Sequence, residues 1–66
     1  MRLKFDGRLY SRAAVDAAAA AFTDWAEFDV KEKGGRIIVA ARPVDGPLDE
    51  GFSDEFCNHV LGAMRG

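Results

Sequence analysis

The sequence has few of the residues that small proteins use to stabilise themselves. Its single cysteine, among 66 residues, excludes a disulfide within the chain. One cysteine and one histidine also fall short of the four ligands of a closed structural zinc site. A chain this short buries only about 60% of its unfolded surface, and its core supplies roughly 3–5 kcal/mol. We therefore expect one small domain over residues 1–66 that gains support from a partner or from self-association.

Long apolar runs and an excess of positive charge are also missing. No stretch approaches the ~20 apolar residues that span a bilayer, and the chain does not start with the apolar segment of a secretory signal. The net charge of -2 does not favour nucleic acid as a partner. Together with the lone cysteine, these absences predict a cytoplasmic protein that binds neither membrane nor nucleic acid.

The strongest local pattern is the segment FDVKEKGGRIIVAAR, residues 28–42. Its Gly34-Gly35 pair favours a two-residue hairpin turn, because such turns need positive φ and glycine adopts it freely. That turn places Lys33 opposite Arg36 and gives the hairpin one apolar and one polar face. The polar face carries the residues that we predict as an interaction surface: Lys31, Lys33, Arg36, Ile38, Ala40 and Arg42.

One strand and one helix are expected before the hairpin. Residues 2–6 alternate polar and apolar side chains as a short strand does, although a small hairpin continuing a few residues further is the alternative. An alanine-rich helix follows over about residues 12–26, with Ser11 as its N-cap. We expect Phe22 and Trp25 to contribute most of the apolar area that this helix buries.

A second helix is expected after the hairpin, over about residues 53–65, with Ser53 as its N-cap. We predict Cys57 to be a small core residue and His59 to be a surface partner of Glu55 at the i, i+4 spacing. Its apolar stripe would comprise Phe56, Val60, Leu61 and Met64.

The order of these elements predicts a small α+β domain of the type β-α-β-β-α. Its sheet would have three strands, with the second strand of the hairpin in the middle and antiparallel to both others. Two helices would pack on the apolar face. The opposite face would stay open to water and basic, for which a solvated sheet surface is the plain interpretation and a docking surface the functional one.

No residue pattern predicts catalysis, a metal site or a cofactor. Cys57 and His59 lie two apart on the predicted helix and point to different sides, so they cannot form a nucleophile–base pair. The acidic residues between Asp45 and Glu55 lack EF-hand spacing and are explained by helix capping and the helix dipole. An enzyme would need a site completed across a subunit interface. We therefore expect a non-enzymatic protein.

Several segments form a series that runs along most of the chain: FDGRLYSRAAV at 5–15, the alanine-rich helix to Phe22, GRIIV at 35–39, Arg42-Pro43 and EFCN at 55–58. This series resembles the His-Xaa-Ser system protein HxsD family. The late pattern of that family has Asp and Tyr after the asparagine, where this chain has His59 and Val60.

The resemblance implies a small accessory protein of a bacterial system in which radical-SAM enzymes modify a precursor peptide with His-Xaa-Ser repeats. By analogy with leader-peptide recognition domains, such a protein would present the precursor peptide to the enzyme. We thus expect a non-catalytic interaction module with a protein or peptide partner, bound at the hairpin edge or on the basic face. The alternative is a small structural homo-oligomer without a peptide ligand.

Overall fold

The computed structural model describes residues 1–65, and Gly66, the last residue of the predicted domain, lies outside them. Three strands, Arg2–Asp6, Ala26–Lys33 and Arg36–Pro43, form one antiparallel sheet, and the strand Arg36–Pro43 lies in the middle. The predicted α+β fold and its order β-α-β-β-α are confirmed. Along the chain the elements are β1 (Arg2–Asp6), α1 (Arg12–Ala21), β2 (Ala26–Lys33), β3 (Arg36–Pro43) and α2 (Phe52–Arg65).

The hairpin of β2 and β3 has the geometry predicted from its turn. Gly34 and Gly35 have φ angles of 59° and 77°, in the left-handed region that favours glycine. Lys33 pairs with Arg36 across the turn, and the same register continues along both strands. The predicted register is therefore confirmed, and with it the division of the hairpin into two faces.

The helix α1 begins where predicted but ends several residues earlier. Its N-cap is Ser11, whose hydroxyl accepts a hydrogen bond from the Ala14 N–H at 3.1 Å. The helix closes at Phe22, whose C=O accepts from the N–H groups of Trp25 and Ala26 at 3.0 and 3.2 Å. Ala26 is then the first residue of β2. Strand pairing thus overrides the helix propensity of this segment.

The early end of α1 changes the surroundings of Trp25. This side chain is 59% exposed, so its predicted place in the core is wrong. Phe22 is half-buried and packs against the core, as predicted. The difference arises because the chain turns after Phe22, so Trp25 no longer continues the buried face of the helix.

The helix α2 starts one residue before its predicted N-cap, so Ser53 lies within the first turn instead of capping it. Leu61 and Met64 are 43% and 41% exposed, and their predicted burial is therefore wrong. Only one row of side chains at i, i+4 spacing is buried, which is narrower than the predicted stripe. The buried side chains of α2 are Phe52, Phe56 and Val60.

The core lies between the two helices and one face of the sheet. Phe56 is fully buried at its centre, with its ring centroid 5.4 Å from that of Phe28, 6.0 Å from Phe22 and 6.3 Å from Phe5. Phe22 follows α1, Phe56 belongs to α2, and Phe5 and Phe28 belong to the sheet. Both helices therefore pack on the same face, and no element within residues 1–65 covers the other face.

Candidate interaction surface

The uncovered face of the sheet, here called the open face, concentrates positive charge. The strand registers and the alternation of side chains place six basic and three acidic residues on it, so its net charge is +3. The whole chain carries -2, which leaves -5 for the residues elsewhere. The charged members of the open face are Arg2, Lys4, Asp6, Glu27, Asp29, Lys31, Lys33, Arg36 and Arg42.

The six residues predicted as an interaction surface all lie on the open face. Ile38 is at its centre, because its Cα is paired with Lys4 of β1 on one side and with Lys31 of β2 on the other. Ile38 and Ala40 are half-buried, whereas the four basic residues are exposed. The arrangement is thus an apolar centre with a cationic rim; its role as a binding surface stays a prediction.

Two ion pairs on the open face involve carboxylates that the predicted surface did not include. Arg42 contacts Glu27 at 2.9 Å, and Lys31 contacts Asp29 at 3.6 Å. Exposed pairs of this kind contribute about 0–1 kcal/mol, so a carboxylate of a ligand can replace them at low cost. The basic residues of the open face without an ion pair inside residues 1–65 are Arg2, Lys4, Lys33 and Arg36.

Asp6 belongs to this face but is already engaged in the turn after β1. Its carboxylate accepts from the backbone N–H of Arg8 at 2.9 Å and from the guanidinium of Arg8 at 3.3 Å. These two interactions, and then the positive charge of Arg36, lower the pKa of Asp6. Asp6 is therefore ionised at neutral pH and offsets part of the positive charge at this corner of the face.

The outer edge of β2 is partly occupied by a side chain of α1. Because a two-residue turn closes on a hydrogen-bonded pair, Val30 and Glu32 direct their backbone groups away from β3. Arg12 donates to the C=O of Val30 at 3.2 Å and pairs with the carboxylates of Glu32 at 3.2 Å and Asp16 at 3.1 Å. The hairpin edge predicted as a place for an added strand is thus occupied at its middle.

The outer edge of β1 is not covered in this way. Met1, just before β1, and Ala41 of β3 exchange backbone hydrogen bonds of 2.9 and 2.8 Å. In an antiparallel ladder, every second residue directs its backbone N–H and C=O away from the neighbouring strand. Arg2 and Lys4 therefore present their backbone groups at the free edge. Their charged side chains discourage the pairing of this edge with another apolar strand.

Cys57 and His59 occupy separate surroundings on α2. Cys57 is half-buried against the core, as predicted, and burial followed by the negative charge of Asp54 raises the pKa of its thiol. His59 is exposed, and its ring lies edge-to-face against Phe22 at a centroid distance of 5.3 Å. The predicted pairing of His59 with Glu55 is wrong, since no such contact is among the ion pairs of the described residues.

The residues that the structure describes contain neither a cluster of metal ligands nor a membrane-spanning helix. Nowhere in residues 1–65 do three or more His, Cys, Asp or Glu side chains converge as metal ligands would. In the same residues neither helix is long and apolar enough to cross a membrane.

Comparison with known proteins adds no relative: no protein-family model, no curated protein and no solved structure matches the chain.

Proposed function

We propose that the chain is a small non-catalytic accessory module that binds a polypeptide partner on its open face. The observation that carries this proposal is the uncovered charge of that face, which is +3 on a chain whose total is -2. Charge complementarity selects partners and speeds their encounter. The complementary partner is a polypeptide segment with carboxylate side chains.

The centre of the open face favours an extended segment. Ile38 offers an apolar contact, and Lys4 and Lys31 lie directly beside it on the neighbouring strands. An extended segment with an apolar residue and with carboxylates two positions before and after it presents all three side chains on one side. This pattern would place the apolar group on Ile38 and the charges near the lysines. A helix would present a narrower row of side chains to this flat surface.

The resemblance to the HxsD family supports a specific identity for this partner. It points to the precursor peptide of a radical-SAM peptide-modification system, or to the modifying enzyme itself. In that role the module would present the peptide to the enzyme and would contribute no catalytic group. Titration of the folded protein with each of these two partners tests this part of the proposal, and binding to neither would remove it.

The charge of the open face is tested with a defined probe, a peptide whose carboxylates all lie on one side when it is extended. A fluorescently labelled decapeptide of alternating Glu and Thr should bind, a matched Gln-Thr peptide should not, and the anisotropy signal should weaken at higher salt. Arg36→Gln should lower the affinity about 1.5- to 5-fold, the equivalent of one exposed charge pair. Arg65→Gln removes the same charge from the end of α2 and should leave the affinity unchanged. Equal losses in both variants would contradict binding on the open face.

The free edge of β1 favours a second candidate, a structural homo-oligomer without a peptide ligand. Arg2 and Lys4 present unpaired backbone groups there, which is the requirement for edge-to-edge pairing of two sheets. Sedimentation velocity over a hundredfold range of concentration separates the two candidates. The module predicts a monomer at all concentrations, whereas the homo-oligomer predicts a sedimentation coefficient that rises with concentration.

A further inference from the structure

A groove opens at the end of the sheet that is opposite the Gly34-Gly35 turn. We call it the end groove; it has a volume of about 640 Å³ and lies between the turn after α1 and the loop that leads into α2. Cavities of roughly 300–1,000 Å³ accommodate a ligand of several functional groups. Its apolar wall consists of Phe22, Trp25, Pro47, Leu48 and Phe52.

Trp25 is the most unusual residue of this groove. It is the only tryptophan of the chain and is 59% exposed. Its backbone is held on both sides, because its N–H donates to the C=O of Phe22 at 3.0 Å and its C=O accepts from the N–H of Val44 at 3.1 Å. A large aromatic ring on a hydrogen-bonded backbone is a contact surface that needs little ordering on binding.

Four carboxylates surround this aromatic wall. None of them forms an ion pair within residues 1–65, and no basic side chain lines the groove. The N-terminus of α2 contributes only about half a positive charge through the helix dipole, which the carboxylates outweigh. They are Asp24, Asp45, Asp49 and Glu55.

We propose that the end groove binds an arginine or lysine side chain of a partner polypeptide. The cation lies over the indole of Trp25, where the negative face of the ring attracts it, and the surrounding carboxylates pair with it. This site goes beyond the proposed function, because its charge is opposite to that of the open face and its ligand is a different segment. The chain then joins an acidic segment on one surface to a basic segment on another.

The size of the groove favours a side chain with its flanking backbone over a free small cation. The apolar residues Leu48 and Phe52 extend the wall beyond Trp25, so they can contact the aliphatic stem of the bound side chain. A second copy of the chain also carries basic residues on its open face. The test below includes a result that would assign the groove to this second copy.

The fluorescence of Trp25 reports on the site directly, since the chain has no other tryptophan. The probe is the capped peptide Gly-Arg-Gly-Arg-Gly, with a peptide carrying Gln at both Arg positions as its control. The Arg peptide should shift the emission saturably, and the Gln peptide should leave it unchanged. Asp24→Asn and Glu55→Gln should each weaken binding about 2- to 5-fold.

Glu50→Gln is the matched control for Glu55→Gln, because Glu50 is exposed in the same region of the chain but does not line the groove. It should bind the Arg peptide like the parent protein. Far-UV circular dichroism checks that each variant is folded. Arg36→Gln, on the open face, should also leave the binding of the Arg peptide unchanged. The two surfaces are thus tested by different peptides and variants, so the end-groove proposal can fail while the proposed function stands.

Three results would overturn the inference. The first is an equal response to the Arg and Gln peptides, and the second is an equal loss of affinity in Glu50→Gln and Glu55→Gln. The third is concentration-dependent self-association that Glu55→Gln abolishes while the Arg peptide does not bind. This last result would assign the end groove to a second copy of the chain.

Discussion

Ile38→Glu is the substitution that tests the two faces of the sheet most sharply. The new carboxylate would stand between Lys4 and Lys31, whose Cα atoms are paired with residue 38. Each opposite-charge pair across strands contributes roughly 0.2–1 kcal/mol. Ile38 is only half-buried, so its loss removes a part of the roughly 1.5–3 kcal/mol that full burial provides. The two effects oppose each other, and we expect a stability within about 1 kcal/mol of the parent protein.

Ile38→Lys separates the charge effect from the loss of apolar contact. It gives up the same contact but faces two like charges, so it should be about 1–2 kcal/mol less stable than Ile38→Glu. That difference should shrink in 1 M salt, since the charges are exposed and screened. Equal stabilities of the two variants would remove the electrostatic part of the argument.

Val39→Glu is the counterpart on the buried face. Val39 has no exposed surface, and an ionised carboxylate at its position costs more than the roughly 3–5 kcal/mol available to a domain of this size. We expect this variant to be unfolded. Urea titration followed by circular dichroism at 222 nm measures all three variants. An unfolded Ile38→Glu beside a folded Val39→Glu would mean that the strands are shifted by one residue and the faces exchanged.

Gly7→Ala should destabilise the protein by more than about 1 kcal/mol, because the added Cβ would lie only 2.7 Å from the C=O oxygen of Gly35. That oxygen is fixed in place, since it accepts a hydrogen bond from the Gly7 N–H at 2.8 Å. A Cβ added at Gly62 of α2 would meet nothing within 4 Å, so Gly62→Ala should raise the free energy of unfolding by roughly 0.5–1 kcal/mol. Urea titrations in which both variants change stability in the same direction would contradict this expectation. The raised pKa of Cys57 predicts slower alkylation by iodoacetamide near pH 8 than in the urea-unfolded chain; equal rates would refute it. The lowered pKa of Asp6 means that its ionised form stabilises the fold at neutral pH and that this contribution is lost as the pH falls through the folded pKa. Asp6→Asn should therefore make the urea midpoint less dependent on acid pH. An unchanged pH dependence would refute this prediction.

The features predicted correctly from the sequence depend on local signals. Gly34-Gly35 specify a two-residue turn, and once the turn is known the period of two fixes which side chains share a face. Ser11 caps α1 through a bond to a residue three positions away. In each case the residues that determine the structure are close together in the chain, so a sequence pattern is enough to identify them.

The features that were missed depend on contacts between distant segments. Trp25 lies in a stretch with helical propensity, but the N–H of Val44 binds its C=O, and α1 has already ended at this point. Leu61 and Met64 fit the helical period, yet no other part of the fold buries them. The end groove also joins residues from two separate loops with residues from the start of α2, so no local pattern marks it. The one available signal was an acidic and apolar composition near both Trp25 and Leu48.

Binding on the open face can be located residue by residue with nuclear magnetic resonance. The measurement is a titration of the ¹⁵N-labelled protein with the alternating Glu-Thr decapeptide. We expect saturable shifts of the backbone amides around Ile38 and Ala40 in β3 and around Lys4 and Lys31 beside them, with the amides of α2 unchanged. Shifts confined to the helices, or no saturable shift at any peptide concentration, would contradict binding on the open face.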